Sequence, residues 1–214
     1  MIEIIPAILT ESGEELLRLV HMFERAGIRR VHLDICDGFF VPSRTVSGYD
    51  ELQRISTTLV FDVHLMVRNP DIQFERWCDI ASADRFLMHI ETMPQIQATA
   101  TRVHACSKQL GMVVNPESTD ERIEAAAPHV DCAQFMTIHP GHQGRLFVPE
   151  VLERVRAFHG RHPDMPIIVD GGITPVTAPA CGAAGASTLV SGSYVVRAAD
   201  VGGAMRQLEA SVVQ

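Results

Sequence analysis

Residues 31–38, Val-His-Leu-Asp-Ile-Cys-Asp-Gly (VHLDICDG), decide the fold of this chain. Side chains alternate along a β-strand, so Val31, Leu33 and Ile35 lie on one face and His32 and Asp34 on the other. Asp37–Gly38 is turn chemistry, which ends the strand there. The segment therefore reads as a buried strand whose second face carries titratable groups.

Working outward, strand-length apolar runs recur as IEIIPAIL, RVHLDI, LVFDVHLM, RFLMHI, GMVVN, CAQFMTI, PIIVD and STLVSG, each followed by enough residues for a helix. The intervening segments carry helix signals: residues 10–27 offer Thr10 or Ser12 as a cap and Gly27 as a stop, and residues 148–160 have Pro149 near the start and Gly160 at the end. Strand–helix alternation implies a parallel sheet covered by helices. Eight such units in 214 residues predict a single (β/α)8 TIM barrel of class α/β, one domain over residues 1–214.

Barrel sites gather where strands end and the following loops begin. The polar residues at those positions are His32, Asp34 and Asp37 after the second strand, His64 after the third, His89 and Glu91 after the fourth, and Asp170 after the seventh. Asp62, His64 and Met66 share a face, as His32 and Asp34 do, and both sets can point into the barrel. An inward carboxylate needs a cation or hydrogen bonds to offset its desolvation. His32, Asp34, His64 and Asp170 together form an N2O2 set suited to one divalent metal, zinc, iron(II), manganese or cobalt, and the residue types do not choose among these. Taken singly, each has an ordinary alternative as a hydrogen-bonded core histidine or a helix cap. Their convergence on one rim favours a metal or acid/base site. Asp37 reads as a turn residue, and His89 and Glu91 as structural or outer hydrogen-bonding groups.

Glycine-rich segments follow the last three strands: HPGHQGR (139–145), DGGI (170–173) and SGS (191–193). Glycines let backbone N–H groups approach an anion, and phosphate sites in barrels often follow the last two strands. Arg145 adds charge there or is a solvated loop residue.

Composition narrows the field. Eighteen Lys plus Arg against 26 Asp plus Glu give a net charge of −8 without a cationic cluster, so neither nucleic acid nor an anionic membrane is expected as a partner. The apolar runs are strand-length and interrupted by charge, and the start lacks a basic leader, which predicts a cytoplasmic protein. Five scattered cysteines, an odd number without a C-x-x-C pair, read as reduced thiols.

The motifs PAIL (6–9), HLDICDGFFVP (32–42), DVHLM (62–66), PGHQG (140–144), DGG (170–172) and GS (192–193) occur in the order and spacing of the ribulose-phosphate 3-epimerase family, which this chain resembles along its whole length. The resemblance implies interconversion of D-ribulose 5-phosphate and D-xylulose 5-phosphate, with His32, Asp34, His64 and Asp170 as metal ligands and Asp34 and Asp170 as the acid/base pair. It also implies sugar-phosphate contacts from Ala7, His64, Met66, Gly141, Gln143, Gly144, Arg145, Gly171, Gly172, Gly192 and Ser193. Three departures stand out: Ala7 replaces the family's serine, Cys36 its methionine, and Gly141–Arg145 its G-F-G-G-Q loop. These changes leave open a related epimerase for another ketose phosphate, such as a hexulose 6-phosphate, or a non-catalytic phosphosugar-binding protein. Exposed apolar helix faces would permit a homo-oligomer.

Overall fold

The computed structural model describes residues 2–140 and 146–213. In chain order the elements are β1 (Glu3–Ile8), α1 (Gly13–Arg25), β2 (Arg30–Cys36), α2 (Tyr49–Gln53), β3 (Val60–Met66), α3 (Pro70–Trp77), β4 (Ala83–His89), α4 (Ile96–Ala105), β5 (Gln109–Val114), α5 (Asp120–Ala126), β6 (Cys132–Met136), α6 (Val151–Arg161), β7 (Ile167–Asp170), α7 (Ala178–Ala183), β8 (Thr188–Ser191), α8 (Ser193–Val196) and α9 (Val201–Val212). The strands pair in sequence order, β8 closes onto β1, and every pair is parallel: a (β/α)8 TIM barrel, as the alternating pattern predicts.

Local chemistry accounts for the helix boundaries. Ser12 caps α1 by accepting a hydrogen bond from the Glu15 N–H at 3.3 Å. Leu16, Leu19, Val20 and Phe23 then form the buried stripe expected of a 3.6-residue period. Gly27, at φ 76°, reverses the chain into β2. In α6, Gly160 lies within the last turn and Arg161 ends the helix.

Strand alternation divides the core in two. Val31, Leu33 and Ile35 of β2 face outward and pack in the large cluster that joins strands to helices. Ile5, Leu87, Val113, Ile168 and Val190 fill the barrel interior from separate strands. The opposite, N-terminal end of the barrel holds charge: fully buried Asp62 receives Arg30 at 2.5 Å and Arg85 at 3.4 Å, and Arg30 also pairs with Asp84 at 2.8 Å. Asp62 thus shares a strand with His64 but belongs to the ion-pair network of Arg30 and Arg85.

One cysteine expectation is corrected. Cys78 and Cys106 form a disulfide across a Cα–Cα separation of 5.9 Å, whereas Cys36, Cys132 and Cys181 are buried free thiols. Cys78 directly follows α3 and Cys106 directly follows α4, so the barrel's repeat brings two residues 28 apart in sequence to neighbouring helix ends. Linear spacing does not show that juxtaposition. Among the described residues, no helix is long and apolar enough to cross a membrane.

Candidate active site

The register of β2 against β3 sets Asp34 beside His64, and the closed barrel brings Asp170 at the end of β7 to the same place. His32 and His64 are fully buried, Asp34 nearly so, and the Asp170 side chain is 13 % exposed. Asp34 Oδ1 lies 2.9 Å from His64 Nδ1 and 3.2 Å from His32 Nε2. Asp170 Oδ2 lies 3.5 Å from His32 Nε2 and 3.8 Å from His64 Nδ1. One ligand atom from each of the four residues falls within 4.8 Å of all the others.

This donor set fits a divalent cation. Imidazole nitrogens and carboxylate oxygens are the ligands zinc, iron(II), manganese and cobalt accept, and a positive ion would offset the desolvation of two carboxylates packed together. The groups already polarise one another. Burial opposes a charge on His32, but the hydrogen bond and charge of Asp34, with the charge of Asp170, outweigh it and raise the imidazole to about 9. Asp34 is buried too, yet its hydrogen bonds and charge contacts with His32 and His64 hold its carboxyl far below the usual range. Asp170 goes the other way, because burial and the neighbouring Asp34 charge together prevail over the two imidazoles. The two aspartates are thus shifted in opposite directions.

Behind the ligands stands a third buried histidine. His89 Nε2 lies 3.0 Å from His64 Nε2, the two rings stack at 5.1 Å, and Phe40 covers His89 at 4.6 Å. Burial and the neighbouring His64 push the His89 pKa well below the ordinary imidazole value. Glu91 bonds Asn115 and Ser118 and stands 3.9 Å from His89 Nδ1, in keeping with an outer role for both residues of this pair. Gln134 is a residue that motif reasoning passes over: its amide Nε2 donates to Asp170 Oδ2 at 3.0 Å from the interior of β6. The available signal was a polar residue between Cys132 and Met136 on the inward face of an otherwise apolar strand.

Asp34 and Asp170 open on one cavity, lined also by Ala7, Leu9, Met66, Met136, Gly171, Gly172, Gly192 and Ser193. Of the residues expected to contact a sugar phosphate, Ala7, Met66, Gly171, Gly172, Gly192 and Ser193 lie on its wall, and His64 sits beneath it among the ligand atoms. Gly141, Gln143, Gly144 and Arg145 lie outside the described residues. Gly171 and Gly172 have φ of 115° and 65°, and a Cβ on Gly171 would come within 2.5 Å of Ile138, so backbone geometry and packing alone demand glycine there. Asp37 is a turn residue as expected, its oxygens accepting from the backbone N–H groups of Phe39, Phe40 and Arg68. Cys36 is buried against Val41 and Met66, one layer behind the cavity wall.

A closed (β/α)8 barrel with two imidazoles and two carboxylates converging at the C-terminal ends of β2, β3 and β7, beneath a cavity edged by glycines, has the plan of a barrel enzyme. Residues 3–196 match the model of the ribulose-phosphate 3 epimerase family. The chain belongs to that family and is accordingly an isomerase acting on carbohydrates. It is 33 % identical to ribulose-phosphate 3-epimerase of Rhodobacter capsulatus, over 94 % of this chain and 88 % of the relative. It is 32 % identical to that of Bacillus subtilis strain 168 (99 % and 100 % covered), and 34 % to the cytoplasmic isoform of Oryza sativa subsp. japonica (98 % and 94 %). The 3-hexulose-6-phosphate synthase of Salmonella typhimurium superposes with a TM-score of 0.73 over 100 % of this chain and 99 % of its own, at 15 % identity, which is a likeness of fold.

Proposed function

We propose that the protein interconverts D-ribulose 5-phosphate and D-xylulose 5-phosphate, one of Asp34 and Asp170 removing the C3 proton and the other delivering a proton to the opposite face of C3. The observation that carries this reading is the pair of carboxylates, from strands on separate sides of the barrel axis, opening on one cavity with two buried imidazoles between them. Inverting a carbon requires a base on one face and an acid on the other. The opposed shifts make Asp34 the more strongly held as carboxylate and Asp170 the more readily protonated of the two. In one direction Asp34 takes the C3 proton and Asp170 returns a proton to the other face; the reverse reaction exchanges their roles. A divalent cation in the set His32, Asp34, His64 and Asp170 would supply, when bound, Lewis-acid stabilisation of the charge that develops on the C2 oxygen.

Ala7, Leu9, Met66 and Met136 give the cavity an apolar wall beside the aspartates, and His89 backs His64. We assign the phosphate to the glycine edge of the cavity, Gly171, Gly172, Gly192 and Ser193, and the family resemblance adds Gly141, Gln143, Gly144 and Arg145 to its contacts. The test combines metal analysis with solvent-deuterium incorporation at C3 of ribulose 5-phosphate and of hexulose phosphates. Exchange with the pentulose is expected, and Asp34→Asn and Asp170→Asn should each lower turnover by at least about 100-fold. Exchange with the hexulose phosphates alone would reassign the substrate, and exchange with neither would overturn the epimerase reading.

A further inference from the structure

We infer that Gln134 is a positioning residue for Asp170, held in the barrel interior to fix that carboxylate; the inference rests on the two-aspartate reading above. The two aspartates are secured differently. Asp34 has both imidazoles within 3.2 Å of one oxygen. Asp170 has its nearest polar side-chain contact, at 3.0 Å, with the Gln134 amide, while the imidazoles stand back at 3.5 and 3.8 Å.

The oxygen that Gln134 grips is Oδ2, the one facing His32 and His64. A donor on that atom stops the carboxylate turning about its terminal torsion, and so fixes which oxygen meets the ligand set and which is left to the cavity. Gln134 does this from below: on β6 it shares the inward face with Cys132 and Met136, is fully buried, and lies beside the apolar layer that fills the barrel. Its register partner on β7 is Ile168, and Asp170 is one inward position further along the same strand, which gives the long amide the reach it needs.

Gln134 carries a cost that packing alone would select against. Its Oε1 is buried without a hydrogen-bond partner among the described residues, and the contact of Nε2 with Met136 Sδ, at 3.4 Å, is weak. A leucine or methionine would fill the same space without an unsatisfied oxygen. What the glutamine supplies and they cannot is the donor to Asp170.

The role is tested with Gln134→Met and Gln134→Leu, by three readouts: kcat and KM for ribulose 5-phosphate, affinity of the chelator-treated protein for cobalt(II), and thermal midpoint. We expect kcat to fall about 10- to 100-fold with KM within twofold, and cobalt affinity to weaken about tenfold, while the midpoint is unchanged or higher. Unaltered kcat and cobalt affinity in either folded variant would overturn the inference. So would a lower midpoint with unchanged turnover per folded molecule, which is the mark of a merely structural residue. Failure of the wild-type protein to exchange C3 would overturn the proposed reaction instead, and the cobalt affinities would still decide whether Gln134 positions Asp170.

Discussion

Both carboxylate oxygens of Asp37 are engaged by backbone N–H groups, Oδ1 by Phe39 and Phe40 at 2.8 and 2.9 Å and Oδ2 by Arg68 at 2.7 Å. The last of these ties the loop after β2 to the loop after β3. Burial alone would raise its pKa, but the backbone donors prevail and hold it below the ordinary aspartate value. A lowered acid contributes stability above its unfolded pKa and loses it as pH falls through the folded value. Asp37→Ala is therefore expected to destabilise the protein by about 1 kcal/mol at pH 7 and by clearly less below pH 3, measured by urea unfolding at both pH values. Asp37 was legible because an Asx turn is a local motif, needing only the residues that follow it. Gln134 was not, since its meaning depends on Asp170, 36 positions away.

At the scale of elements, the strands were legible almost residue by residue, because a strand buried on both faces is a short apolar run and a helix on its outer face repeats every 3.6 residues. The helix ends were less so: α6 runs past Gly160, and the partnership of Cys78 with Cys106 depends on α3 and α4 finishing side by side. Helices of this fold run antiparallel to the strands, so their C-terminal ends lie at the face opposite the cavity. Cys78→Ser or reductant should then lower stability by about 2–4 kcal/mol through the loop the disulfide closes, and leave kcat of the folded enzyme unchanged. Denaturant midpoints with and without reductant, alongside turnover at 25 °C, measure both effects.

For the molecule as a whole, closure of the barrel places opposite chemistries at its two ends. The C-terminal end gathers the imidazole–carboxylate set, and the N-terminal end gathers Arg30, Asp62, Arg85 and Asp84 around one fully buried carboxylate. Removing Asp62 would leave Arg85 without its carboxylate partner and Arg30 with Asp84 alone, so Asp62→Ala is expected to cost roughly 3 kcal/mol, with part of it recovered in the double variant Asp62→Ala/Arg30→Met. Thermal unfolding of the three proteins tests this; no loss in the single variant would show that the network adds nothing to closure.

By itself, the sequence determined the barrel and the kinds of groups at its mouth, because period-2 burial, helix caps and the H-x-D and D-x-H spacings are local properties of the chain. Only the tertiary structure decided which of those groups meet. It turned Asp62 to Arg30 and Arg85 and His64, two residues on, to the ligand set, joined Cys78 to Cys106, and set Gln134 under Asp170. The physical reason is that parallel strands joined through helices put contacting residues tens of positions apart, and hydrogen bonds across the barrel interior follow from closure and register, which no linear pattern records.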